Sequence, residues 1–253
     1  MAVGARSLGS GGRSAPRGRG LVASALATAG AWLLEPAEAT AQEASMQRVG
    51  ERPVIAVFGL APGCGATTVA RSLAVELARR DAAGVAAVGC GSAPGAGASM
   101  LATRPASRLA RELEGATGEQ ARPAGRICLV AGGDYAATVA AVRPHVPLVL
   151  DSGGAEPAPA AGAIADAVVL VARPGIEPAL AAVMAEGLAR VGPHPLTIVN
   201  RSLDAPDWDG LAVETLPDAR AAARLALAGR EPGRAFGRAV ARLVDRLEAT
   251  CSG

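Results

Sequence analysis

Residues 54–70 read Val-Ile-Ala-Val-Phe-Gly-Leu-Ala-Pro-Gly-Cys-Gly-Ala-Thr-Thr-Val-Ala, and no other stretch narrows the fold so far. An apolar, β-branched run ends at Phe58, a glycine-bearing loop follows, and Thr67-Thr68 opens a helical pattern. A chain that turns from strand to helix in this way aims backbone N–H groups and a helix N-terminus at one spot, a ready seat for phosphate. The layout is that of a P-loop, with Gly63, Cys64, Gly65, Ala66, Thr67 and Thr68 as candidate nucleotide-binding residues. Its usual lysine is missing, because Ala66 stands between Gly65 and Thr67. The chain contains no lysine at all, and arginine, which could not take that place without a change of geometry, is not there either.

Downstream, short β-branched runs alternate with helical patterns, which argues for βαβ units and a mainly parallel sheet. Strands are predicted at 54–58, 85–88, 127–130, 147–150, 167–171 and 196–199, with a last short one at 211–215. Helices are predicted after the loop, where Val69, Leu73 and Leu77 share a face, and at 99–113, 135–142, 178–190, 218–228 and 234–249. Right-handed crossovers make this a doubly wound sheet with helices on both faces, a three-layer α/β/α fold. Half of the 253 residues are hydrophobic but only 2% are aromatic, so the core must be built from Ala, Val, Leu and Ile.

Charge and cysteines exclude several classes. A formal net charge of +2 gives no bulk electrostatic case for nucleic acid or anionic membrane. Cys64, Cys90, Cys128 and Cys251 are scattered, with no CxxC, and His145 and His194 are isolated, so no zinc site is expected. Reduced thiols in a cytoplasmic protein are the simple reading. Residues 1–50 read as a disordered or dispensable tail and 51–253 as the nucleotide-binding domain. The tail carries Arg13, Arg17 and Arg19 ahead of the apolar run Leu21–Leu34, then Ala39-Thr-Ala41, which also fits a secretory signal. That run is too short to span a bilayer comfortably. Met46 stands where an ordinary start for the domain would fall.

From Pro53 to the C-terminus the sequence resembles the ParA/MinD group of P-loop ATPases, on five landmarks in order. The loop itself fills the slots Ala61-Pro62-Gly63-Cys64-Gly65-Ala66-Thr67-Thr68. Val149-Leu150-Asp151-Ser-Gly-Gly154 looks like the Walker B strand, and Ala167-Val-Val-Leu-Val171 like the strand before the partner-facing helix. Ile198-Val199-Asn200-Arg201 is similar to the segment whose asparagine reads adenine, and Leu216-Pro217-Asp218 with Gly229-Arg-Glu-Pro232 matches the family's ending. The resemblance implies ATP or ADP with Mg²⁺ as cofactor, Thr67 and Asp151 at the metal, and Asn200 and Arg201 at the base. It also implies a homodimer, in which a signature lysine reaches the partner's nucleotide.

The departures fall on the charges. Ala66 and Ala61 occupy the two lysine slots, and Cys90-Gly-Ser-Ala-Pro-Gly95 replaces the acidic segment that positions the attacking water. No residue is therefore assigned a catalytic role. Three readings follow: a degenerate member that binds nucleotide weakly and works through protein contacts in division, pilus, secretion or partition positioning; an active ATPase with unconventional residues, Arg173 among the candidates; or a nucleotide-free adaptor. Blander readings stand beside each site: Gly63 and Gly65 as turn glycines, Thr67 as a helix-start hydroxyl, Asp151 as a strand-end turn residue and Cys64 as a small filler. The last helix sets Arg234, Arg238, Arg242 and Arg246 opposite Phe236, Val240, Leu243, Val244 and Leu247. Packing on the sheet is the expectation there, with peripheral membrane contact the alternative. Residues 204–210 read as an exposed loop, with Trp208 a contact residue or a lid over the base site.

Overall fold

A computed structural model describes residues 52–90, 101–131, 134–153, 159–208, 211 and 213–251. The expected tail, Met46 and the loop at Gly91–Gly95 lie outside these residues. Strand sequences that are apolar on both sides fit a sheet buried on both faces. In β1 (Val54–Gly59), Val54, Ala56 and Phe58 enter one core while Ile55 and Val57 enter the other. The same alternation runs through β2 (Ala86–Cys90), β4 (Ile127–Ala131), β5 (Leu148–Asp151) and β6 (Ala167–Ala172). With β3 (Ala121–Ala124), β7 (Leu196–Asn200) and β8 (Val213–Leu216), the eight strands lie in the order β3-β4-β2-β5-β1-β6-β7-β8. All neighbours are parallel except β3 with β4.

Seven helices among the described residues cover the sheet. On one face lie α1 (Ala66–Arg80), α6 (Arg220–Leu227) and α7 (Arg234–Cys251), whose Val69, Leu73, Ala222, Phe236 and Leu243 share a core. On the other lie α2 (Arg104–Thr117), α3 (Tyr135–Val142), α4 (Pro159–Ile164) and α5 (Pro178–Val191), through Leu109, Val142, Ala161 and Leu188. The doubly wound, three-layer expectation therefore holds.

Several details differ from the sequence expectation. The helix expected from residue 99 is α2, which begins at Arg104 because Thr103 caps it, its hydroxyl accepting from the Ala106 N–H at 3.4 Å. Strand β3 was not foreseen: Arg122-Pro123 reads poorly as a strand, yet proline is tolerated at a sheet edge, where β3 sits. Helix α4 was missed because its six residues are too few to show a period. Trp208 is neither exposed contact nor lid but buried in a core, while Leu203, Asp204, Ala205 and Asp207 before it face solvent and residues 209–210 lie outside the described residues. The apolar face of α7 is packed inside, while Arg234, Arg238 and Arg242 are exposed and Arg246 pairs with Glu214. No helix among the described residues is long and apolar enough to cross a membrane.

Parallel pairing puts the strand ends to use. The C-terminal ends of β1, β2, β5 and β7 share one edge, where the Gly59–Ala66 loop sits. The opposite edge is tied by Asp166, which accepts from the Val54 N–H at 2.8 Å and pairs with Arg143 at 3.0 Å.

Candidate functional site

The loop between β1 and α1 is held from three sides. Gly59 donates to the Gly153 carbonyl at 3.3 Å and Leu60 to the Val171 carbonyl at 2.9 Å, so both neighbouring strands grip its first half. Cys64 folds back on Ala61 through an N–H···O bond of 3.2 Å, and its side chain is buried beneath the turn. From β7, the Asn200 carboxamide reaches under the turn and donates from Nδ2 to the Cys64 carbonyl at 2.9 Å. Gly65 then takes a left-handed φ of 94° and starts the helix without any side-chain cap. A Cβ on Gly65 would overlap Nδ2 of Asn200, so glycine is required here both by backbone conformation and by close approach.

Because no side chain caps α1, its first N–H groups, those of Ala66, Thr67 and Thr68, face outward with no partner inside the helix. Gly63 sits exposed on the turn with no atom within 4 Å of where a Cβ would be. Ala61 and Ala66 are buried and bring a small apolar surface to the loop.

Asp151 stands at the end of β5, in register with Val57 of β1 and Cys90 of β2. Thr67 hydrogen-bonds its carboxylate, and Oδ1 accepts from the Gly153 N–H at 3.2 Å. Burial nevertheless dominates and pushes the Asp151 pKa up, against those two bonds and the charge of Arg71. Burial, with a contribution from Asp151, also raises the Cys90 thiol to about 11, so it is a neutral wall rather than a nucleophile. The Tyr135 phenol is raised in the same way, burial outweighing the nearby Ser152 hydroxyl that acts against it.

The structure thus brings Gly63, Cys64, Gly65, Ala66, Thr67, Thr68, Asp151 and Asn200 together. Asn200 acts on the loop itself, one of its Nδ2 hydrogens bonded to the Cys64 carbonyl. Arg201 is exposed beyond it in a left-handed backbone with φ 65°, and Arg173 is exposed on the turn after β6. Arg71, Cys90 and Tyr135 were not foreseen as neighbours of the site. Arg71 is 5% exposed, with Nη1 donating to the Leu227 carbonyl at 2.7 Å and Nε unbonded. One signal was available: Arg71 follows Thr67 by four residues and so lies on the same helical face.

These residues fit a Mg²⁺-nucleotide in part. A buried carboxylate whose ionisation is opposed by its surroundings, bonded to a threonine hydroxyl, suits a cation that arrives with phosphate. No cluster of three His, Cys, Asp or Glu among the described residues could hold a metal by itself.

No protein-family model matches the sequence, and no curated protein matches it. Solved structures of similar shape include a ParA family ATPase from Chlorobium tepidum TLS, 12% identical with TM-score 0.48, covering 76% of this chain and 98% of that one. A plasmid partition protein from Borrelia burgdorferi is 7% identical with TM-score 0.49, covering 79% and 99%. A nucleotide-binding protein from Archaeoglobus fulgidus, in complex with ADP, is 14% identical with TM-score 0.40, covering 74% and 87%. No residue role follows from likenesses this distant.

Proposed function

We propose that the chain is a degenerate ParA/MinD-like P-loop protein that binds ATP or ADP with Mg²⁺ weakly, turns it over poorly or not at all, and works through protein contacts. The observation that carries this reading is the uncapped start of α1 at Gly65, held by Asn200, beside the Thr67–Asp151 pair and without any lysine. The N–H groups of the loop and first helical turn would hold phosphate oxygens, and Thr67 and Asp151 would hold Mg²⁺ directly or through water. The metal would supply the positive charge that the side chains lack.

Magnitudes separate binding from turnover. A hydrogen bond to a charged group contributes about 1.5–3 kcal/mol, so one absent lysine weakens binding by roughly 10- to 100-fold, which millimolar nucleotide offsets. Phosphoryl transfer rests on positioning and on stabilising charge at the transferring group. With alanines in both lysine slots, little remains at this seat to stabilise that charge. The setting inferred is positioning of cell-envelope, secretion or partition machinery in the cytoplasm, through a partner protein or a second copy.

Calorimetry with Mg²⁺-ATP and Mg²⁺-ADP, followed by phosphate release, tests the proposal. Binding at high micromolar to millimolar nucleotide, weakened by Thr67→Ala and strengthened by Ala66→Lys, is expected. Turnover abolished by Thr67→Ala would overturn it in favour of an active ATPase. No heat at millimolar nucleotide would leave an adaptor without nucleotide.

A further inference from the structure

A cavity of about 670 Å³ opens at the edge of the sheet opposite the loop, between α2 and the turns that enter β2 and β5. That is the size of a small-ligand or peptide-anchor pocket. Its inner wall is apolar, with Val85, Leu109 and Val146 each at most 5% exposed. Its rim carries the exposed Arg104, Arg108 and Arg111 against a single carboxylate, Glu112, which Arg108 already engages at 2.7 Å. Arg111 donates only to the Ser107 carbonyl, at 3.4 Å, and Arg104 has no acidic partner among the described residues. An apolar floor under a cationic rim suits a ligand with an apolar body and carboxylates beside it.

The chain itself enters the domain at this rim. Arg52, just ahead of β1, pairs with Asp81 at 2.9 Å and donates to the Pro144 carbonyl at 3.4 Å. Asp81 and Pro144 adjoin Ala83 and His145, which line the cavity. Upstream, the sequence supplies the complementary chemistry: Trp32-Leu33-Leu34, then Glu35 and Glu38, within a stretch whose charges from 35 to 51 are four glutamates and one arginine. Glu38 lies fourteen positions before Arg52, and an extended chain over that many steps reaches about 45 Å. The segment from 91 to 100, which rejoins the domain at Leu101 near the same cavity, has no charged residue and cannot answer the arginines.

We infer that residues 32–38 of the chain's own N-terminal segment dock in this cavity, Trp32, Leu33 and Leu34 over Val85, Leu109 and Val146, and Glu35 and Glu38 against Arg104 and Arg111. Exposed ion pairs are individually weak. Tethering supplies the difference, because a short flexible linker holds its ends at an effective concentration on the order of millimolar.

The test uses the full chain with Trp208→Phe, which leaves Trp32 as the single indole. If that core substitution unfolds the domain, the difference between the parent and Trp32→Phe spectra gives the same reading. Docking is expected to shift Trp32 emission to shorter wavelength and protect it from acrylamide. Arg104→Glu with Arg111→Glu should return both to the values of a free indole, and adding Glu35→Arg with Glu38→Arg should restore protection. The glutamate changes alone should also release Trp32, without touching the domain. A fully quenchable Trp32 in the parent, or protection that either charge reversal leaves unchanged, overturns the inference. Protection that grows with protein concentration overturns it too, by placing the tail in a second copy.

Discussion

At the scale of single residues, the site is defined by what its groups give up. Asp151 is buried, and burial raises its pKa above that of an unfolded aspartate despite Thr67, Gly153 and Arg71. The native state therefore holds this proton more tightly than the unfolded chain does. The stability it contributes is complete below the unfolded pKa and is lost as pH rises through the folded one. Asp151→Asn, which keeps the acceptor for Thr67, is expected to leave Tm unchanged in acid and to raise it at neutral pH. Each kcal/mol recovered moves Tm by about 2–4 °C in a domain of this size. Thermal unfolding from pH 3 to 8 checks this, and a variant less stable at pH 7 would contradict it. A second expectation concerns Gly65 and Asn200. Gly65→Ala forces a left-handed residue, at about 1–2 kcal/mol, and drives a methyl into the Asn200 carboxamide. Asn200→Ala removes that obstacle together with the bond to Cys64. Urea unfolding of the two singles and the double should give a combined cost below the sum. Thr67 and Asp151 were legible as a pair, because a loop motif and an acidic strand end each carry a local signature. The Asn200 brace was not legible, since it joins residues 136 apart in sequence. Nor was the burial of Arg71, which depends on α6 arriving from the far end of the chain.

Secondary-structure elements show the same division between local and distant causes. Seven strands were foreseen, six of them as continuous apolar runs and β8 as a short run at 211–215, and α1, α2, α3, α5, α6 and α7 were foreseen from their helical patterns, α2 with a start five residues too early. The β3–β4 hairpin was not, although a glycine marks its turn at Gly125-Arg126. Its support comes from the α6–α7 connection: Arg126 donates to the Gly229 carbonyl at 2.8 Å, and Gly229 lies with φ 68° against the carbonyl of Ala124. A Cβ on Gly229 would overlap that carbonyl, and backbone on both sides leaves little room to yield. Gly229→Ala is therefore expected to cost more than the roughly 1–2 kcal/mol of the left-handed conformation alone. Faster amide exchange concentrated in β3, β4 and the start of α7 would locate the damage. Exchange that rises evenly across the sheet would instead mean that the two connections do not stabilise each other.

Over the whole molecule, the parallel sheet separates two tasks at its two edges. Strand C-termini carry the loop, Thr67, Asp151 and Asn200, while strand N-termini carry the ties that fix β1 among its neighbours. Asp166 is the chief of these, bonded to the Val54 N–H across 112 residues and paired with Arg143, both side chains nearly buried at 9% and 11% exposure. Asp166→Ala would take the Asp166 carboxylate away from the Arg143 guanidinium and free an N–H at the head of the central strand. Removing one partner of a buried pair costs about 3–5 kcal/mol, a large share of a domain's total of about 5–15 kcal/mol. The strand C-termini lie at the other edge, and nothing in that tie touches Gly59–Thr68. Chemical denaturation should therefore show a loss of that size. Calorimetry on the folded protein should return the parent's Mg²⁺-ATP affinity, whatever that proves to be. A parallel fall in affinity would mean that β1 transmits disorder along its length to the loop, and the two edges would then have to be treated as one cooperative unit.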